Sequence, residues 1–377
     1  MADAPTGCPH LRTGIRLPVR SRIVSVSKRT DVPAFFLRWF LGRVERGWVD
    51  VPNPSFARAL RAAGAPGPNG VRARSELDAY LERTPGPEQD RRLASFLTHV
   101  SLRPCDVLGI VWWSKNFAPL LRMREAFRRF PRQQFHFTVT PKRADLAWLE
   151  PGLPAEEEAA AQLAGLRSEA ELLARLAERS RLAPIPPSEA VVWRYDPLVF
   201  WWEDGLPRST WDEEFFVRMC RRMRELGLRR CVTSVADRYA KVERRWRECA
   251  PGRPLRDPEP EELAGIAERM RAIAGEFGLR LEACAEESFE RLGVPPARCI
   301  DAELFPPAAG RASRAAASDR AFATRRACGC HEHTDVGDYE WQRCGYACLY
   351  CYANPTLRAA PAGATSSLPP RRRRCSP

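Results

Sequence analysis

The chain is poor in lysine, histidine and methionine and has no long apolar run. Lys28, Lys115, Lys142 and Lys241 are its only lysines among 60 basic residues, and it has five histidines and five methionines. No apolar stretch approaches the roughly 20 residues that a membrane-crossing helix needs. Met1 to Arg20 lack the apolar core of a secretory signal. These absences exclude a membrane-spanning helix in the sequence and lead us to expect a cytoplasmic protein. No internal repeat and no recognised nucleic-acid-binding motif is present.

With 377 residues and 44% hydrophobic content, the chain can bury a large core, in one big domain or two ordinary ones. Its formal charge of +13 invites a polyanionic partner. The basic residues are overwhelmingly arginine, however, and many alternate with glutamate as on solvated helix faces. Where other basic positions are arginine, a remaining lysine marks a place suited to a compact ammonium rather than a planar fork. Lys28, Lys115 and Lys142 each follow an apolar run directly. Thirteen cysteines in a chain of this size, with no signal, read as buried thiols plus metal ligands rather than disulfides. Cys105, Cys220, Cys231, Cys249, Cys284 and Cys299 are scattered as small core residues are. Five more crowd between Cys328 and Cys351.

From Ile23 onward one theme repeats: a short β-branched run, a polar cluster, then a helical pattern. The runs are Ile23–Ser27, Trp48–Val51, Val107–Trp113, Gln134–Val139, Ala190–Trp193, Arg230–Val235 and Leu279–Cys284. Amphipathic helices are expected between them, most clearly Thr210–Leu226, where Thr210 and Glu213 form a capping-box pattern, and Pro260–Phe277. Such alternation predicts parallel strands with crossover helices. Seven strands suit a TIM-like (β/α) barrel, an α/β fold, over residues 21–310. The polar clusters after the strands would then gather at one mouth. Lys28, Arg29, Asp31, Asn53, Lys115, Asn116, Arg194 and Asp196, with Tyr350 from the cysteine loop, are the candidate cofactor-binding residues there. Turns, caps and internal salt bridges are the competing explanation for each. Trp112, Trp113, Trp193, Trp201 and Trp202 are candidates for an aromatic wall or for core packing. An insertion is expected near 62–90, a helix at 156–180, disorder at 1–20, and a disordered basic tail at 356–377.

Residues 311–355 carry the densest chemistry. Cys344, Cys348 and Cys351 have the spacing C-x3-C-x2-C, with the aromatic Tyr350 directly before the third cysteine. Three thiolates on one loop can hold three irons of a [4Fe–4S] cube, leaving the fourth iron open to a substrate or cofactor. Together with Cys328, Cys330, His331 and His333 they also supply enough ligands for a closed structural zinc site. Cys328 and Cys330 have three readings: a second metal, an extra ligand, or a redox pair. Tyr350 and Tyr352 are placed to shield a cluster or to pack the loop.

This motif resembles that of the radical S-adenosylmethionine superfamily, and Gly-Tyr-Ala-Cys348-Leu-Tyr-Cys351-Tyr-Ala is similar to its spore-photoproduct-lyase-like variant. The ordered set Ser27-Lys-Arg-Thr-Asp31, Asn53-Pro54, Trp113-Ser-Lys-Asn116, Trp193-Arg-Tyr-Asp-Pro197, Cys284-Ala-Glu286 and the terminal cysteines resembles domain-of-unknown-function family 1848, a bacterial group. The resemblance runs from about Ile23 to Asn354. It implies a [4Fe–4S] cluster, S-adenosylmethionine, a low-potential electron donor such as flavodoxin or ferredoxin, and a substrate it does not name. In the superfamily the motif usually precedes the barrel, whereas here it follows, so the cluster loop must fold back onto the mouth as in a circular permutation. The rival reading is a non-catalytic binding protein with a structural zinc knot and a basic, nucleic-acid-facing surface.

Overall fold

The structure is a computed structural model that describes residues 7–9, 16–18, 22–53, 55–56, 74–83, 96–141, 143–152, 185–306 and 327–353. Its centre is a seven-stranded sheet made of β1 (Arg22–Val26), β2 (Val107–Ser114), β3 (Gln133–Thr138), β4 (Val191–Leu198), β5 (Arg230–Val235), β6 (Arg280–Ala283) and β7 (Thr334–Asp335). Every neighbouring pair is parallel, and the order is β6-β5-β4-β3-β2-β1-β7. The expected α/β architecture with parallel strands is therefore present, as a sheet with β6 and β7 at its two ends.

Six of the seven expected runs lie in this sheet. Trp48–Val51 does not: Trp48–Pro52 pairs antiparallel with Leu97–Ser101 in a separate ribbon. The chain leaves after Pro52 and returns to supply that partner, so the strand's hydrogen bonds are satisfied without the main sheet. The seventh place goes to Thr334–Asp335, which pairs with β1.

Both faces of the sheet are buried, as parallel sheets require. Val24, Val26, Ile110, Trp112, Phe135, Phe137, Trp193, Tyr195 and Cys231 point to an outer core shared with helices α1 (Leu37–Arg46), α3 (Glu213–Glu225) and α5 (Pro260–Glu276). Trp112, Trp193 and Trp201 are buried, which makes core packing their role, whereas Trp202 is 39% exposed. A further helix, α2 (Arg74–Arg83), belongs to the excursion between the ribbon strands, and α4 (Ala240–Cys249) follows β5. The expected cap of α3 shifts by two residues. Asp212, not Thr210, accepts from the Phe215 N–H, while Thr210 Oγ1 accepts from the Val199 N–H.

On the inner face Ile23, Val111, Val192 and Val232 meet Ala297, Ile300, Phe305 and Cys330. Gly109 is required here, because a Cβ at that position would collide with the Phe305 ring. The inner segment also links the ends of the sheet. Ala297 N–H donates to Ala283 O at the end of β6, and His331 N–H, shortly before β7, donates to Ile300 O at 2.9 Å.

Lys142, the helix at 156–180, the tail at 356–377, and most of the 1–20 segment and of the 62–90 insertion lie outside the described residues. Among the described residues no helix is long and apolar enough to cross a membrane.

Candidate functional site

The cysteine loop packs over the carboxyl ends of β1 and β2. Its backbone is pinned from three sides. Leu349 N–H donates to Leu149 O at 2.9 Å, and Gly152 N–H donates to Tyr346 O at 3.1 Å. Arg245 of α4 donates from Nε to Leu349 O at 3.0 Å and from Nη2 to Cys351 O at 2.7 Å. The Tyr346 ring meets Phe35 edge to face, with centroids 4.8 Å apart.

Cys348 is buried, while Cys344 and Cys351 are half-buried. Burial pushes the Cys344 thiol up; the Asp31 carboxylate adds to that, and the backbone N–H groups of Tyr346 and Asp31 oppose it. Burial likewise pushes Cys348 well up, reinforced by Glu150 and opposed by Lys115. Lys115 Nζ donates to Glu150 Oε1 at 2.6 Å and to the Tyr350 hydroxyl at 3.1 Å, and that hydroxyl donates to the same carboxylate oxygen. Burial alone would lower the Lys115 pKa. Glu150, Cys348 and Cys351 together hold it above the ordinary lysine value.

Asp31 binds two strand-to-helix loops together. It accepts from Ala34 N–H at 2.9 Å, Ser114 Oγ at 2.7 Å and Lys115 N–H at 2.9 Å. Burial outweighs these bonds and raises its pKa to about 6. Asn116 closes its own turn, accepting from Ala118 N–H at 2.9 Å. Asn53 does the same for Ser55 N–H at 2.9 Å, on the separate ribbon and exposed. Arg29 lies against Tyr339, 5.6 Å from the ring centroid, and donates to Gly337 O.

A second group of thiols occupies the inner face of the sheet. Cys299 Sγ lies 3.6 Å from Cys284 Sγ. Cys330 is hydrogen-bonded to both Cys299 and Cys328. Arg194 Nη1 donates to Cys299 Sγ at 3.2 Å, and its Nε and Nη2 donate to Asp196 Oδ2 at 3.0 and 2.7 Å. Hydrogen bonds from Cys284 and Cys330 hold Cys299 well below the ordinary thiol range. A bond from Cys330 brings Cys328 down to about 6. Trp113 forms the floor between this group and β1. It stacks on His136 at 4.1 Å, donates from Nε1 to Ser25 Oγ at 3.0 Å, and has Arg194 and Lys28 at 5.1 and 5.8 Å from its ring centroid. Burial drives the His136 pKa to about 3, so its imidazole is neutral.

Six of the residues expected at one mouth thus fall into two neighbourhoods on the same end of the sheet, while Asn53 lies on the separate ribbon. Asp31, Lys115 and Tyr350 accompany the C-x3-C-x2-C loop. Lys28, Arg194 and Asp196 accompany Cys328 and Cys330. Sequence reasoning missed Glu150 and Arg245, which carry no motif, while Cys284 and Cys299, expected as core thiols, do lie in or against the inner apolar cluster. It also missed Asp335, whose carboxylate accepts from Ser25 Oγ, Ser27 Oγ and Lys28 N–H at 2.8, 2.6 and 2.6 Å.

Among the described residues no three or more His, Cys, Asp or Glu side chains are gathered so as to hold a metal ion. The loop's donor chemistry nonetheless suits a thiophilic group. Three thiols share one loop and interact electrostatically, and Lys115 and Arg245 face Cys348 and Cys351 with the charge that thiolates need.

The model of a family described as "Domain of unknown function (DUF1848)" matches residues 23–66 and 90–353. No curated protein and no solved structure matches the chain.

Proposed function

The chain belongs to the DUF1848 family, and from that premise we propose that it is a radical S-adenosylmethionine-type enzyme whose [4Fe–4S] cluster is held by Cys344, Cys348 and Cys351. The observation that carries this reading is the cysteine loop itself. Its three thiols share one loop at the carboxyl ends of parallel strands and interact electrostatically, with Lys115 and Arg245 facing Cys348 and Cys351. When bound, such a cluster supplies the electron that cleaves S-adenosylmethionine to a 5′-deoxyadenosyl radical.

The chain's own residues divide the remaining work. Arg245 fixes the loop through two of its carbonyls. Lys115, tied to Glu150 and Tyr350, places a permanent positive charge beside Cys348 and Cys351. That charge favours their thiolate forms. Lys28, Arg29, Asp31, Asn53, Asn116, Arg194 and Asp196 are the groups we assign to cofactor and substrate recognition around the mouth. In this reading the sheet closes as a (β/α) barrel whose cluster loop lies last in the chain, a permuted form of the superfamily. The segment that hydrogen-bonds to both Ala283 and His331 supports that closure. The enzyme works in the cytoplasm with a low-potential donor such as flavodoxin or ferredoxin.

Protein purified without oxygen should be brown and contain iron with acid-labile sulfide, and Cys348→Ala should lose both. Incubation with S-adenosylmethionine and dithionite should release 5′-deoxyadenosine in excess of that variant. Stoichiometric zinc without sulfide in iron-reconstituted protein would instead establish a structural zinc knot on this loop. Sulfide-bearing protein that releases no excess 5′-deoxyadenosine would reduce the cluster to electron transfer or structure.

A further inference from the structure

We propose that Cys328, Cys330, Cys299 and Cys284 form a thiol relay, a site for dithiol–disulfide exchange in which electrons from the Cys284–Cys299 pair reduce a small anionic disulfide at Cys328. The site is separate from the C-x3-C-x2-C loop and does not rest on the function proposed for that loop.

The first argument is order. Cys284 Sγ lies 3.6 Å from Cys299 Sγ, and Cys330 is hydrogen-bonded to Cys299 on one side and to Cys328 on the other. The four sulfurs follow one another in a chain, and among the described residues no three are gathered so as to hold a metal ion. Stepwise exchange needs such a chain, because each thiolate attacks only the sulfur beside it. Gly329, between Cys328 and Cys330, gives the backbone the freedom that a transient disulfide across so short a loop requires.

The second argument is access. Cys299 and Cys330 are 1% and 2% exposed, so a dissolved disulfide reaches neither. Cys328 and Cys284, at the two ends, are half-buried. Only one end is a ready nucleophile. A hydrogen bond from Cys330 brings the Cys328 thiol down to about 6, with Lys28 adding to the effect, whereas the bond to Cys299 and burial push Cys284 well up. Lys28 also gives the entry a positive charge, which suits a disulfide bearing carboxylates.

The third argument is the thiolate held in mid-chain. Arg194 Nη1 donates to Cys299 Sγ at 3.2 Å, and the bonds from Cys284 and Cys330 hold that thiol well below its ordinary range. Cys220 and Cys231 behave differently, since burial pushes both up in the apolar outer core, as for inert thiols.

The Cys328 thiolate attacks one sulfur of the disulfide RSSR, forming a mixed disulfide and releasing RS⁻. Cys330 passes its proton to that RS⁻, attacks Cys328 and expels the second RS⁻. The Cys299 thiolate then attacks Cys330, restoring the Cys328 thiolate. Finally Cys284 attacks Cys299 and its proton goes to the departing Cys330. Two electrons have passed from the Cys284–Cys299 pair, now a disulfide, to RSSR, now one thiol and one thiolate.

The test treats the full-length protein with glutathione disulfide at neutral pH, alkylates the remaining thiols after acid quenching, and locates each disulfide by peptide mass spectrometry. The parent should accumulate a Cys284–Cys299 disulfide and release two glutathiones for each one formed. Cys330→Ser should instead hold glutathione on Cys328 and leave Cys284 and Cys299 reduced. Cys328→Ser should slow the oxidation of Cys299 by about tenfold or more. Cys105→Ser, at an exposed thiol, should leave it unchanged. Lys28→Met should slow the reaction with glutathione disulfide more than that with uncharged hydroxyethyl disulfide, and equal slowing would overturn the anionic preference. Cys284 and Cys299 both reduced in the treated, folded parent, Cys299 oxidised as fast in Cys328→Ser as in the parent, or a product that stops at Cys328–Cys330 would each overturn the relay. The parent measurement needs no variant. Cys344, Cys348 and Cys351 are read on their own peptide, so these outcomes do not depend on whether their loop binds a cluster.

Discussion

At Lys115, a charge that would be costly to bury alone is held by two partners. Its side chain and that of Glu150 are 13% and 11% exposed, and Tyr350 completes the group. Removing one partner of such a pair leaves an uncompensated charge, whereas removing both removes the problem. Lys115→Met should therefore lose about 3 kcal/mol of stability. The double variant K115M/E150Q should recover much of that, as read from urea unfolding of the full double-mutant cycle. A Lys115→Met protein within about 0.5 kcal/mol of the parent would show that the pair is not structural. The sequence singled out Lys115 and Tyr350, because a scarce lysine follows a strand and an aromatic precedes a cysteine. Glu150 was invisible there. It is one acidic residue among 47, and its partner Tyr350 lies 200 positions away.

Among the elements, the cysteine loop depends on a close approach of two glycines. A Cβ at Gly152 would fall inside the Gly345 carbonyl and lie 2.8 Å from the Tyr346 backbone, and backbone cannot rotate aside. Gly152→Ala should consequently lift the loop from Leu149–Gly152, with lower iron loading and faster proteolytic cleavage near Cys348. Gly252→Ala, where a Cβ meets nothing within 4 Å, is the matched control. Equal loading in the two variants would mean that the loop docks without this contact. Elements were legible where periodicity is local: six of the seven strand runs fall in the main sheet, and Pro260–Phe277 is α5 to within a residue. They were illegible where pairing is remote. Nothing around Trp48 announces that Leu97–Ser101 will pair with it. A run as short as Thr334–Asp335 carries no period at all. The contact between Cys284 and Cys299 was illegible for the same reason, since only the fold brings the two thiols together.

For the molecule as a whole, pH acts through a half-buried carboxyl at the end of the sheet. Glu286 accepts from Val235 N–H at 3.1 Å. Burial, with the Asp196 carboxylate nearby, raises its pKa from 4.5 to about 7 despite that bond. A carboxyl raised on folding binds its proton more tightly in the folded state. Its stabilising contribution is therefore complete below pH 4.5 and is lost as pH rises through about 7. Glu286→Gln keeps the acceptor and removes the titration. Its melting temperature relative to the parent should climb between pH 5 and pH 8, by at most about 3 kcal/mol in stability terms. A difference that stays flat across that range would place the titration elsewhere.

The pairing of β7 with β1 also bears on how the protein is made. Ser25 and Asp335 share a hydrogen bond across 310 positions of chain. At translation rates of about 5–20 residues per second, β1 leaves the ribosome some tens of seconds before its neighbour exists. During that interval the sheet can zip from β1 through β6 in order, but the C-x3-C-x2-C loop cannot dock, because Cys344 to Cys351 follow β1 by more than 300 positions. The cysteine loop thus meets a sheet whose other strands are already paired.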